Sequence, residues 1–79
     1  MAEKLSIKHW RQIRDITQQE MANRLNVHVN TYRQMEKTPM QIKMITLLKI
    51  CKILNVSISD IILRDYYEEE GLKSEDDGE

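Results

Sequence analysis

Apolar residues recur along this chain at spacings of three and four, the period of a helix with one buried side. Ile7, Trp10 and Ile13 stand three apart, with Lys8, Arg11, Gln12 and Arg14 between them, which predicts a first helix over 5–14. Asp15 is expected to end it. Thr17-Gln18-Gln19-Glu20 has the form of a capping box: the hydroxyl accepts from a free N–H of the first turn and the carboxylate reaches back. A second helix is therefore expected to start at Gln18, with Met21, Ala22 and Leu25 as its apolar face. Asn26, a residue type that tolerates the left-handed conformation, ends it, and Val27 follows as a short apolar anchor. A third helix is predicted over about 29–35, with His28 or Val27 near its start, and 36–42, with its Thr38-Pro39 pair, reads as a loop. A fourth helix over about 43–54 carries Met44, Leu47, Leu48, Cys51 and Leu54 as its stripe, and Asn55 ends it. Ser57-Ile58-Ser59-Asp60 opens like a second capping box, predicting a fifth helix that buries Ile58, Ile61 and Ile62. The pattern as a whole predicts an all-α fold of five short helices joined by short connections.

Composition narrows this picture. Seventy-nine residues make one domain at most. Two glycines and one proline are too few for the turns of an all-β chain. The single cysteine, Cys51, excludes an intrachain disulfide and fits a reducing cytoplasm. No apolar run exceeds three residues (Ile61-Ile62-Leu63), so no membrane span is expected. The charge is divided. Residues 1–64 hold eleven Lys/Arg and five Asp/Glu, whereas 65–79 hold one Lys and eight acids. A basic domain over 1–64 is thus expected to carry an acidic, flexible segment over 65–79. That segment reads either as a solvated tail that aids solubility or as a competitor with DNA phosphates for the basic face.

The candidate chemistry lies in the centre of the chain. Two helices separated by a three- to four-residue turn, with the small Ala22 where they would cross, match the geometry of a helix-turn-helix. At about 100° per residue, Tyr32 and Met35 fall on one side of the third helix, and Val29, Asn30, Arg33 and Gln34 on the other. Asparagine and glutamine amides can bond adenine N6 and N7 together, and arginine can fork onto guanine O6/N7 or hold a phosphate. Val29 is placed to touch a thymine methyl, and the helix N-terminus offers N–H groups to a phosphate.

With these pieces in order, the stretch from Ile7 to Leu63 resembles the Xre-type regulators, the family of phage repressors and Cro proteins. The matching pieces are Trp10-Arg11, Ile16-Thr17-Gln18, Glu20-Met21-Ala22, Leu25-Asn26-Val27, Thr31-Tyr32, Met35-Glu36, Leu47-Leu48-Lys49-Ile50-Cys51 and Leu54-Asn55-Val56-Ser57. The resemblance implies a lambda-repressor-like, five-helix DNA-binding domain. It implies that Gln18 contacts a phosphate or base and that Val29, Asn30 and Gln34 read bases. His28 and Arg33 are implied as phosphate contacts or secondary readers, with Lys37 beside them in the DNA-binding set. It also implies that Arg11 and Glu36 tie the first helix to the end of the recognition helix. Asp15, Asn26 and Thr38 stand where the family usually has glycine. The loop 38–42, often basic in the family, carries no charge, and its Met40 and Ile42 are candidates to face a protein partner.

Family members commonly bind two half-sites as dimers. A homodimer on a palindromic double-stranded operator is therefore expected, with Leu63, Tyr66 and Tyr67 as candidate dimer residues; the two tyrosines read alternatively as caps on the domain edge. In so short a chain, control is expected from concentration, dimerisation or a regulatory protein partner. The expected function is sequence-specific DNA binding as a small repressor-like regulator. The alternative is a protein-interaction module on the same scaffold, favoured by the uncharged loop and the acidic segment. His9 and His28 are nineteen residues apart without partners at ligand spacing, so no metal is expected. Cys51 reads as a buried small hydrophobe, Trp10 as core, Glu20 as a cap, and the five methionines as core filler. With no phosphate loop and no acid–base or nucleophile constellation, neither a cofactor nor an enzyme is expected.

Overall fold

A computed structural model describes residues 4–65. Four α-helices, α1 (Ile7–Ile13), α2 (Gln18–Leu25), α3 (Val29–Lys37) and α4 (Met44–Leu54), are joined by tight turns. Single 3-10 turns lie at Pro39–Gln41 and Ile58–Asp60. Among the described residues no helix is long and apolar enough to cross a membrane.

Three of the four helices, α1, α2 and α3, start on a side-chain cap, whereas α4 starts at Lys43 without one. Ser6 accepts from the His9 N–H at 3.2 Å. Thr17 and Glu20 form both halves of a capping box. Three helix ends use one device. Asp15, Asn26 and Asn55 adopt left-handed φ values of 63°, 59° and 58°. In each case the next residue, Ile16, Val27 or Val56, donates its N–H five residues back, to Arg11, Ala22 and Cys51 respectively. This is the Schellman arrangement, which satisfies the last helix carbonyls and turns an apolar side chain inward. Ile16, Val27 and Val56 all pack against the core. The third position where the family usually has glycine, Thr38, has a φ of −127° and needs no left-handed residue.

The core joins Ile7, Met21, Ala22, Leu25, Tyr32, Leu47, Ile50, Cys51, Leu54 and Ile61. Ala22 is fully buried. Burial and the charge of Asp60 push the Cys51 thiol above its ordinary pKa, as for a packed and unreactive side chain. Two stripes differ from the sequence expectation. On α1 the buried positions are Ile7 and Arg11, one turn apart, while Ile13 is 55% exposed. On α4 the buried stripe is Leu47, Ile50, Cys51 and Leu54, and Met44 and Leu48 lie outside it at 60% and 49% exposure. In both helices the apolar residues span more than one face, and packing against the neighbours selects which face is covered.

The expected fifth helix is a single 3-10 turn. Ser57 and Asp60 cap it reciprocally, but the Asp60 carbonyl, which would extend a helix, is taken twice. It accepts from Leu5 N at 3.1 Å and from Trp10 Nε1 at 2.9 Å. The chain then runs extended, with Ile61 in a parallel bridge to Leu5 and Ile62 N donating to Leu5 O at 2.9 Å. α1 is clamped to the same end of the molecule by Arg14, whose Nε donates to Leu54 O at 2.6 Å while its guanidinium lies 5.3 Å over the Trp10 ring. A cation there also complements the C-terminal end of the α4 dipole. Asp65, at the start of the acidic segment, is buried, and its carboxylate accepts from Met40 N at 2.9 Å. Leu63 is 37% exposed, whereas Tyr66 and Tyr67 lie outside the described residues.

Candidate nucleic-acid interface

α2 and α3 meet through the short turn at Asn26, Val27 and His28. His28 caps α3: its Nδ1 accepts from Asn30 N at 3.2 Å, so the ring presents Nε2–H outward. From that start, Asn30, Thr31, Arg33, Gln34 and Lys37 are exposed on α3, while Tyr32 and Glu36 are buried. Val29 departs from the angular reading: it is half-buried and packs against the core. The first turn of α3 lies against the core, so the side chain of its first residue is partly covered.

Beneath this face lies one polar cluster. Glu36 is 5% exposed, and its carboxylate collects donors from three elements. Arg11 of α1 gives Nε at 2.5 Å and Nη2 at 3.5 Å. Tyr32 gives its hydroxyl at 2.5 Å, and Gln18, at the opening of α2, gives Nε2 at 3.0 Å. Arg11 also donates Nη1 to the Ile16 carbonyl at 2.9 Å. A buried charge is tolerable only when paired and fully hydrogen-bonded, and no buried side-chain polar atom among the described residues lacks a partner. Burial, reinforced by the hydrogen bond to Glu36, raises the Tyr32 pKa far above its ordinary value, so the phenol stays a donor.

The cluster reaches the surface through Gln18, which is half-buried. Its Oε1 accepts from Arg33 Nε at 3.2 Å, and Arg33 Nη1 donates to Asn30 Oδ1 at 2.9 Å. Gln18, Asn30 and Arg33 are therefore held together, whereas Gln34 is separate, its Nε2 lying 3.5 Å from Thr38 Oγ1. Lys37 is exposed one turn further on. Between α3 and the start of α4 runs a groove of about 540 Å³ lined by Asn30, Gln34, Gln41 and Lys43, among others. The Glu36–Tyr32 and Arg33–Asn30 contacts have helical spacings of four and three, which a sequence can suggest. The Gln18–Arg33 contact crosses the turn between two helices and leaves no periodic signal.

Eleven Lys/Arg face five Asp/Glu over the described residues 4–65. Four of those five acids are engaged locally: Glu36 with Arg11, Glu20 and Asp60 in helix-start caps, and Asp65 on Met40 N. The exposed remainder is basic, as suits a polyanionic partner.

A family model described as Helix-turn-helix matches residues 7–61, a span that takes in all four helices and both 3-10 turns. A comparison with curated proteins gives no match. With more than half of the sequence matched and a polar α3 braced outward on α2, the chain belongs to the helix-turn-helix family of DNA-binding transcription regulators, of the Xre, lambda-repressor-like type.

Proposed function

We propose that the protein binds specific double-stranded DNA as a small repressor-like regulator, with α3 in the major groove. The observation that carries this reading is the outward row of Asn30, Arg33 and Gln34 on a helix whose opposite side is locked by the Glu36 cluster. A rigid element presenting amide and guanidinium groups is what base-edge recognition requires. His28, with its Nε2–H outward, and Lys37 meet the phosphates on either side, and Val29 holds the helix to the core. A homodimer on a palindromic operator doubles the contact, with Leu63, Tyr66 and Tyr67 as the candidate joint.

Selection of bound duplexes from a random library tests the reading. Asn30→Ala and Gln34→Ala are each expected to weaken the selected duplex by about 1–3 kcal/mol and to relax one base position. Affinity for random duplex is expected to fall steeply with salt. Variants that bind the selected duplex like the parent protein would remove this assignment.

A second reading rests on a separate observation. Met40, Met44, Ile45 and Leu48 are exposed to between 49% and 66%, an apolar surface that suits a protein partner. On that reading the scaffold binds protein and little DNA, and retention on random duplex is flat and undetectable even at low salt.

A further inference from the structure

The side of α4 turned away from the core is divided along its length. Met44, Ile45 and Leu48, spaced three and four apart, share that side and are 49% to 66% exposed. Met40 precedes them at 65% exposure. Lys49 and Lys52, also exposed, carry the same side on toward the helix C-terminus, and neither forms a salt bridge among the described residues. The outer face of α4 is therefore apolar over its first half and basic over its second. The chain itself is delivered to the apolar end. Asp65 is 4% exposed, and its carboxylate accepts from Met40 N at 2.9 Å. It supplies a cap that is missing locally, since Thr38, which opens the Pro39–Gln41 turn, makes no side-chain cap bond. A buried carboxylate must keep such a partner, so this contact fixes the point from which the chain continues, beside Met40 and four residues before α4 begins. The next five residues are Tyr66-Tyr67-Glu68-Glu69-Glu70, two aromatic side chains followed by three acids.

We propose that residues 66–70 lie as a strap over the outer face of α4 of their own chain, with Tyr66 and Tyr67 on its apolar half and Glu68 to Glu70 facing Lys49 and Lys52. The order of the segment matches the order of the face, aromatic on apolar and then acid on base. The lengths agree as well: Met44 to Lys52 rises about 12 Å along a helix, and Tyr66 to Glu70 reaches about 13 Å when extended. Tyrosine suits such a cover, because its ring buries apolar area while its hydroxyl stays in water. The glutamates contribute direction more than energy, since exposed ion pairs are weak; in the opposite direction they would lie on Met44 and Leu48. Attachment at Asp65 favours this occupant over a second copy or another protein. A segment tethered by one or two residues is present at an effective concentration of about millimolar, above that of a free partner. The strap gives the tyrosines the other role that the sequence allows, caps on the domain edge, and leaves Leu63 to the homodimer joint. It goes beyond the DNA-binding reading and does not rest on it.

The test is NMR spectroscopy on the isotope-labelled full chain. Ring protons of Tyr66 and Tyr67 are expected to contact the methyl groups of Met44, Ile45 and Leu48 within one chain, and not between labelled and unlabelled chains in a mixture. Tyr66→Ser combined with Tyr67→Ser is expected to shift those methyl signals, to leave the buried Ile50 and Leu54 signals in place, and to raise the fluorescence of an added hydrophobic dye. Leu48→Ser in that background is expected to lower the dye signal again, which assigns the uncovered surface to α4. Lys49→Glu combined with Lys52→Glu is expected to weaken the ring contacts, less so as added salt screens the charges. Ring contacts found only between labelled and unlabelled chains would make the segment an exchanged dimer arm and overturn the assignment. No ring contacts, with equal dye binding by the parent protein and the tyrosine variant, would mean that the α4 face stands open and would overturn it too.

Discussion

Tyr32 and Glu36, one turn apart on α3, share a 2.5 Å hydrogen bond in the interior, with the phenol as donor. The same carboxylate is held by α1 through Arg11 and by α2 through Gln18, so a single buried group registers three helices against one another. The orientation of α3 is therefore set by polar contacts inside the protein as well as by the apolar core around them.

Breaking this cluster from the α1 side is expected to be severe. Arg11→Met leaves a buried carboxylate without its cation and should cost about 3–5 kcal/mol, measured by urea denaturation. A loss below about 1 kcal/mol would mean that water or relaxation replaces the guanidinium. Glu36→Gln in the Arg11→Met background should recover part of the loss, because the stranded charge is removed.

Alkaline pH provides a second measurement. Burial and the bond to Glu36 keep the Tyr32 phenol protonated in the folded state well above its ordinary value of 10. In the unfolded chain it ionises near 10, so above that pH the folded state holds the extra proton. Stability is then expected to fall as pH rises past 10, by about 1.4 kcal/mol per unit from this group. Tyr32→Phe should be less stable at neutral pH, where Glu36 loses a donor, and should show a shallower alkaline decline. Parallel pH profiles for the two proteins would contradict this.

The three left-handed helix ends invite substitution. Asn26 and Asn55 have φ near 60°, where a β-branched side chain is strained and glycine is not. Asn26→Gly is expected to leave stability unchanged or raise it by up to about 1 kcal/mol, whereas Asn26→Val should lower it by about 1–2 kcal/mol. Thermal melting distinguishes the two, since about 1 kcal/mol moves the midpoint by roughly 4–8 °C in a domain of this size.

Arg14 ties α1 to the end of α4. Arg14→Ala removes the bond to the Leu54 carbonyl and the guanidinium over Trp10, and is expected to cost about 1–2 kcal/mol. The Trp10 indole is also expected to become more exposed, a change read by its fluorescence. An unchanged emission spectrum would place the clamp elsewhere.

Much of the fold was legible because its signals are local. Thr17 with Glu20, the asparagines at 26 and 55, and the three-and-four spacing of Met21, Ala22 and Leu25 each act within one turn of helix. The resemblance to the Xre family drew on the same local pieces, and the family match over 7–61 agrees with it. Legibility failed where a residue's partner is distant in sequence. Ile13, Met44 and Leu48 are as apolar as their buried neighbours, and only the packing of the other helices leaves them outside. The expected fifth helix was stopped by Leu5 and Trp10, more than fifty residues before the carbonyl they occupy in the one case and fifty in the other.

The candidate interface divides in the same way. That Asn30, Arg33 and Gln34 share one side of α3 is a property of the sequence, since a helical period of 3.6 groups them; that this side is exposed while Val29 beside it is half-buried is decided by packing. How the Gln18 and Asn30 amides are oriented is a property of the tertiary structure. It depends on a carboxylate at position 36, a glutamine at 18 and a guanidinium at 33 meeting across a turn. Hydrogen-bond polarity is passed between groups that touch, and folding alone determines which groups touch.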